Sequence, residues 1–517
     1  MLLFRASVCH HRRVGLGVGE LAGDGSRVAR REPSPRPEDA RARVAATAPV
    51  DRLLAVAVVA VPAAGVVLFG GVEPEHALVV EAAALVLGSV VVVRRARQGM
   101  RALPAPHVTV PVLLLAALAA LQLAPLSGRP PSWLGPGWGR PEAAVLRSLS
   151  VFPAATHLAL LRWLAYGAFL VAALDVLERP GAVRVGLGGV AALGLVEAVY
   201  GIGNLLVGGR HVLWMARDAA PLDATGTLVN RNHFAAVLEL CLPALLARRW
   251  LGPRDVVDGA GLTALTIIGG VAMGLASLLS HSRAGLATLV LAMTTTAALG
   301  PPDAEGRHAR RVVLVLGGIA LVAGAYVGLG PLVARFAELA GPTADVRPAL
   351  WSDAADVVAD FPLTGAGAGT FEAIFPAYRH AATDQHDYAH AHQDYLELAA
   401  EGGAVAVAFA LVAAWGFAAT VTRALRRRDR SLALAATLGG LVAVTAHAAV
   451  DFPLHIPGIT FLFLLIAAAA RSIAQDTAGP QPHEPRLSHP VPKRRTRSPL
   501  EDTGPPCQKG TRYAGRR

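Results

Sequence analysis

Cysteine is scarce: Cys9, Cys241 and Cys507 are the only three in 517 residues. They are too scattered to form a disulfide framework or a zinc site. Charge is scarce too, at 16% against 53% hydrophobic residues, which excludes an ordinary soluble enzyme. The first fifty residues lack an apolar stretch followed by a small-residue cleavage site, so no cleavable signal peptide is expected and the first membrane span would serve as the insertion signal. Internal repeats are absent. The run Gly365-Ala366-Gly367-Ala368-Gly369 has neither the preceding strand nor the βαβ unit that a dinucleotide fingerprint needs, and reads as a flexible turn.

What is present is a series of apolar blocks of about 18 to 25 residues, the length that crosses about 30 Å of hydrocarbon. They lie at 53–71, 77–93, 108–126, 158–177, 185–207, 231–247, 259–280, 284–300, 312–334, 402–422, 431–450 and 453–470. The expected fold is therefore an all-α polytopic membrane protein of about twelve transmembrane helices. It has one large outer loop, 335–401, containing short amphipathic helices. Residues 1–50 and 471–517, rich in arginine and proline, read as disordered basic tails. Between them, 51–224 form an N-terminal group of membrane helices and 225–470 the catalytic membrane region.

The formal charge of +11 would suggest nucleic acid in a soluble protein. Here arginine collects in short loops at 94–101, 179–184, 248–254, 307–311 and 423–430, whereas the short loops 72–76 and 451–452 have none. That bias is the positive-inside pattern. It places both termini in the cytoplasm and the loops 127–157, 208–230 and 335–401 outside, with no nucleic-acid partner.

Polar chemistry gathers on the outer side. Asn230, Asn232 and His233 stand at the mouth of the sixth span, and Ser282 and Arg283 lie where two spans meet with almost no loop. In the long loop, Arg347-Pro348 opens a helix, since proline is well tolerated in a first turn. Leu350, Trp351, Ala354, Ala355 and Val358 give that helix one apolar face. Further on come His386, His390 and His392 with Asp384, Asp387 and Asp394. Three readings stay open for these histidines. His392 can be a general base, since a neutral imidazole takes a proton from a hydroxyl near pH 7. If helical, His386 and His390 share a face at metal-ligand spacing. The cluster can also be solvated or packing side chains. Glu197 and Glu239 lie mid-span, where a carboxylate is costly and suggests function, although a neutral or hydrogen-bonded packing role is equally consistent.

Five segments in this order resemble the bacterial O-antigen ligase and O-antigen polymerase family. They are Asn230-Arg231-Asn232-His233-Phe234-Ala235, Ser282-Arg283-Ala284-Gly285, Arg347-Pro348-Ala349-Leu350-Trp351, residues 361–371, and His392-Gln393-Asp394-Tyr395-Leu396-Glu397. His447 with Asp451-Phe452-Pro453-Leu454 looks like the closing element. The resemblance covers about 225–460.

It implies a multi-pass enzyme of the bacterial cytoplasmic (inner) membrane, acting among membrane lipids at the outer face. The enzyme moves a glycan from a polyprenyl diphosphate to an acceptor hydroxyl of a lipopolysaccharide core or a growing surface polysaccharide. Protein O-glycosylation by the same family is one alternative; a secondary transporter, suggested by the mid-span glutamates, is another. Carried over by motif, Arg283 and Arg347 hold the diphosphate and His392 assists the acceptor. Asn230, Asn232, His233, Tyr395 and His390 are candidate supporting residues, and Gln393 stands where the family more often has asparagine. Guanidinium forks suit phosphate oxygens, so an inverting, metal-independent transfer without a cofactor is expected.

Overall fold

A computed structural model describes residues 37–179, 181–217, 223–252, 256–302, 306–307, 310–311, 313, 318, 346–380, 383, 387–426 and 431–476. The chain divides into two compact units, 1–51 and 52–517. In the first, residues 37–51 are helical. Thirteen helices occur among the described residues. Eight precede the long loop 335–401: α1 (Pro37–Val67), α2 (Pro74–Arg97), α3 (Pro106–Gln122), α4 (Pro153–Leu177), α5 (Ala182–Leu206), α6 (Arg231–Trp250), α7 (Val256–Leu279) and α8 (Arg283–Leu299). The loop contributes α9 (Arg347–Asp360) and the short α10 (Phe371–Ile374), and α11 (Asp394–Leu425), α12 (Leu432–His447) and α13 (Pro457–Asp476) complete the chain. A two-stranded hairpin, His211–Val212 with Met215–Ala216, is the one exception to the all-α expectation among the described residues.

The helix starts follow from local chemistry. Proline opens α2, α3 and α4 and stands second in α9, where its missing N–H had no partner to lose. Asn230 and Ser282 cap α6 and α8 by accepting from the N–H groups of Asn232 and Gly285, satisfying donors that a helix start leaves open.

Eleven of the twelve expected spans coincide with helices, and the ninth, 312–334, lies outside the described residues except for 313 and 318. Seven helices are long and apolar enough to cross a membrane, while α3, α8 and α12 are apolar but shorter. α6 has the length but carries Arg231, Glu239, Arg248 and Arg249. The expected starts need one correction. α11 begins at Asp394, not near 402, and is broken at Gly403 (φ 60, ψ −164).

α12 lies at the centre of the bundle, almost every residue from Leu432 to Val444 being buried. Its small side chains permit this: Gly439 lies against the Ala292 carbonyl of α8, and Gly440 against Glu239 and Pro243 of α6. Such close backbone approach is how membrane helices gain packing energy without a hydrophobic driving force. α13 is similarly buried, whereas α11 turns Leu411 and Trp415 outward.

The segments 127–157 and 346–401 share one small core of their own, built from Trp138, Leu350, Val357, Phe361, Phe371 and Phe375. The predicted apolar face of α9 is corrected here. Ala355 is exposed, and the buried face is Leu350, Asp353, Ala354, Val357 and Asp360. The two aspartates are tolerated because each has partners: Asp353 takes the Thr383 hydroxyl and the His380 ring, and Asp360 takes the Tyr378 hydroxyl and Arg140.

The glycine-rich turn is also different from expectation, being packed rather than loose. Ala366 and Gly367 donate to the carbonyls of Ala400 and Glu401, and a side chain at Gly365 would strike the Glu401 carbonyl. Beside it, Ala404 and Val405 donate to the carbonyls of Pro362 and Leu363, which gives two N–H groups at the break in α11 partners outside the helix. A Cβ at Gly403 would meet the Leu363 carbonyl in a backbone conformation that other residues rarely adopt. Gly403→Ala should therefore lower the thermal midpoint in detergent and reduce the inserted protein, with a cost on the order of 1–3 kcal/mol from the backbone alone. An unchanged melting curve would show that the break is not required.

Candidate active site

Asp451 follows the end of α12 and is fully buried. Its Oδ2 accepts from Asn232 Nδ2 at 2.6 Å and from an Arg347 terminal nitrogen at 3.2 Å. Its Oδ1 accepts from the Phe452 N–H at 2.9 Å and lies 3.5 Å from His392 Nδ1. Three elements distant in sequence thus converge on one carboxylate: the start of α6, the start of α9 and the bend before α11. Burial alone would raise the Asp451 pKa. The His392 imidazole and the Arg347 guanidinium beside it, with His233 and His447 behind, hold it well below the usual carboxylate range instead.

His392 is not helical; it bends the chain just before α11 with φ 52. A positive φ at a non-glycine residue persists only where the surroundings hold it. Here Glu397 does so from one side, accepting from the Ala391 N–H at 2.8 Å, while Trp351 Nε1 donates to the His392 carbonyl at 3.3 Å. The His392 ring stands edge-on to Phe452 at 4.7 Å, His233 meets the same ring edge-on, and His390 stacks on it at 4.4 Å. With Asp451 beside Nδ1, the proton is favoured there, leaving Nε2 as the acceptor.

Arg347 donates one terminal nitrogen to the Val450 carbonyl at 2.8 Å and the other to Asp451. Its side chain keeps 24% exposure, and a guanidinium has five donors in all. Arg283 opens α8 and is half-buried. Its neighbour Ser282 donates to Asn232 Oδ1 at 2.8 Å, so the helix start that carries Arg283 is tied through Asn232 to Asp451. Asn230 serves as the α6 cap, and Tyr395 donates its hydroxyl to the Thr445 carbonyl.

His390 belongs to a second cluster. Its Nδ1 pairs with Glu397 Oε1 at 2.7 Å, and His455 bridges Asp394 and Glu397 from the other side. Sequence reasoning missed Asp451, Glu397 and His455 as site residues, although all three lie within or beside the quoted motifs. His386 and Asp384 lie outside the described residues, and among the described ones no group of three or more His, Cys, Asp or Glu is disposed to hold a metal. The mid-span glutamates both have partners. Glu197 accepts from the Thr227 N–H and hydroxyl, and Glu239 pairs with His447 Nδ1 at 2.9 Å.

The His455 cluster has a pH signature. Burial pulls its pKa down, but Glu397 and Asp394 outweigh burial and raise it to about 10. A raised histidine contributes stability fully below its unfolded value near 6.5, and loses it as pH rises toward the folded value. Thermal midpoints should therefore fall between about pH 6.5 and 10, and His455→Gln should flatten that slope. An equally steep slope in the variant would assign it to other groups.

Curated proteins offer no match to this chain. The O-antigen ligase family model does match, over residues 268–411. That stretch contains Arg283, Arg347 and His392 but stops short of Asp451 and begins after Asn232, the two residues that tie the site together. Over those residues this integral membrane protein carries an O-antigen ligase domain, the part of the chain that is similar to the O-antigen ligase and polymerase family.

Proposed function

We propose that this glycan-transfer protein takes its glycan from a polyprenyl diphosphate and delivers it to an acceptor hydroxyl at the outer face of the cytoplasmic membrane. The acceptor is a lipopolysaccharide core or a growing polysaccharide. The observation that supports this best is the Asp451 carboxylate, which holds His392 and Arg347 within 3.5 Å of its own oxygens. A proton acceptor and a phosphate-binding cation are thereby set side by side.

His392 Nε2 takes the proton as the acceptor oxygen bonds to the anomeric carbon, and the bond from that carbon to the diphosphate oxygen breaks. Arg283 and Arg347 neutralise the charge developing on the leaving diphosphate. Asp451 stabilises the imidazolium formed. A single displacement inverts the anomeric centre, through an oxocarbenium-like transition state of the kind seen in glycoside hydrolysis. Both termini then lie in the cytoplasm and the small outer core faces the other side.

The test is transfer by the purified protein in nanodiscs, from a lipid diphosphate donor of known anomeric configuration. The product anomer read by NMR should be inverted, and the rate should survive EDTA. Retention of configuration would require a covalent intermediate and remove His392 from its role. Loss of activity in EDTA, restored by a divalent ion, would replace the arginines with a metal.

A further inference from the structure

A second histidine shares the left-handed backbone of His392. His281 has φ 49 beside the 52 of His392, and they stand two residues before α8 and α11 respectively. Each also lies against a carboxylate that takes an arginine on its other oxygen. For His392 the carboxylate is Asp451 and the arginine Arg347. For His281 the carboxylate is Asp223. Its Oδ1 lies 2.9 Å from His281 Nδ1, and its Oδ2 accepts from an Arg231 terminal nitrogen at 2.7 Å. Both side chains are largely buried, His281 keeping 10% exposure and Asp223 15%. The first set has its place in the proposed transfer, and the second has none. A histidine in this conformation costs backbone energy and persists only where its surroundings hold it; at His281 the carboxylate of Asp223 does so.

Consecutive residues divide between the two sets. At the start of α6, Arg231 goes to Asp223 and Asn232 to Asp451. In the turn between α7 and α8, His281 goes to Asp223, and Ser282 donates to Asn232. The segment carrying Asp223 is itself fixed, because the Ala224 N–H donates to the Leu279 carbonyl at the end of α7 at 2.8 Å. Arg283 is the residue that follows these two ties. A single bond from Ser282 to Asn232 would leave the turn free to pivot about it. A second tie one residue earlier, to a charged acceptor, fixes the direction in which α8 starts and in which Arg283 leaves the backbone. A group held in place beforehand binds more tightly, because less ordering remains to be done when the ligand arrives. We propose that Asp223 is a positioning residue for Arg283. Through His281 and Arg231 it locks the start of α8 to the start of α6, so that Arg283 meets the lipid diphosphate already in place. The lock rests on the proposed transfer reaction in one respect, the assignment of the diphosphate to Arg283.

The experiment titrates farnesyl diphosphate into the full chain in nanodiscs and measures transfer at saturating donor in the same preparation. Asp223→Asn keeps the shape but loses the charge and one acceptor oxygen. It should weaken farnesyl diphosphate binding about tenfold while transfer at saturation falls less than about twofold, the mark of lost binding rather than lost chemistry. Asp223→Glu, which restores the charge, should recover most of the binding. Added to Arg283→Ala, Asp223→Asn should weaken binding no further, since both act on one guanidinium. His281→Ala cuts the same tie from the turn side and gives the same result should Asp223→Asn insert poorly. A nitroxide on Arg283→Cys, with the three native cysteines replaced by alanine, reads the lock without any ligand. Its EPR lines should narrow when Asp223→Asn or His281→Ala is added. Unchanged lines in both would overturn the inference. So would full additivity with Arg283→Ala, or transfer at saturation falling as far as binding, either of which marks a general structural role. Where Arg283→Ala itself weakens binding, normal binding in both Asp223→Asn and His281→Ala would overturn it as well. Lines that narrow as expected while Arg283→Ala binds farnesyl diphosphate normally would count against Arg283 as the diphosphate holder in the transfer reaction, and not against the lock.

Discussion

His392→Ala is expected to leave binding of the lipid diphosphate close to normal and to slow transfer by about 10²- to 10⁴-fold, the range a positioned general base contributes. Asp451→Asn should reach the same step by another route. The asparagine keeps the shape that receives Asn232 and Phe452, but it loses the charge that stabilises the imidazolium and favours the Nδ1–H tautomer. Because both changes act on one proton transfer, the double variant should be scarcely slower than His392→Ala alone, well short of the product of the two effects. His390→Ala should slow transfer far less, since His390 is paired with Glu397 and reaches the site only through Phe452. The measurement is single-turnover transfer at saturating donor, with insertion levels checked for each variant. Multiplicative losses in the double variant would show that Asp451 and His392 act on separate steps. Full activity in His392→Ala with a dead His390→Ala would move the base one ring across Phe452.

The membrane helices were legible because length and hydropathy are local properties of the chain. Where legibility failed, a tertiary contact had overridden a local pattern. α11 looks as if it starts at the apolar run after Gly402, yet the polar Asp394-Tyr395-Leu396-Glu397 turn is helical too. Its Asp394 N–H donates to the Ala448 carbonyl, and the carboxylates of Asp394 and Glu397 are engaged by His455. The glycine run looked loose because glycine is permissive alone. Against Glu401 and the Gln122 amide of α3, which receives the Ala368 N–H at 2.9 Å, it is a close-packed clasp.

The site was half legible on the same grounds. Arg283, Arg347 and His392 stand out as polar residues in conspicuous motifs, and that pattern brought them forward without saying what holds them. Asp451 sits in the short link, 448–456, between two apolar helices, with nothing local to mark it as the residue on which Asn232, Arg347 and His392 converge. Pairings across 219 and 104 residues, such as Asn232 with Asp451 and Arg347 with Asp451, follow from the way α6, α9 and α12 pack. No spacing rule along the chain contains them.

The arginines should fail differently from the histidine, and from each other. Arg283→Ala removes a charged donor from the start of α8, and most donor binding should go with it, since charge-assisted contacts to phosphate are strong in poorly solvated surroundings. Arg347→Lys keeps the charge but not the fork. One terminal nitrogen now meets the Val450 carbonyl and the other Asp451; a lysine ammonium on its flexible stem cannot hold both and also face a phosphate in a fixed plane. Donor binding should therefore weaken by about tenfold or more, equivalent to about 1.4 kcal/mol. Transfer should suffer further, because Asp451 loses its guanidinium partner and with it part of its hold on His392. Arg347→Lys should thus depress both binding and the transfer step, whereas Arg283→Ala should depress binding most and leave the rate at saturating donor closer to normal. Titrating each variant with the lipid diphosphate, and then measuring transfer at saturation, separates the two effects. Should Arg347→Lys bind donor as tightly as the unaltered protein, Arg347 is an anchor for Asp451 alone, and the diphosphate is held by Arg283 with other donors.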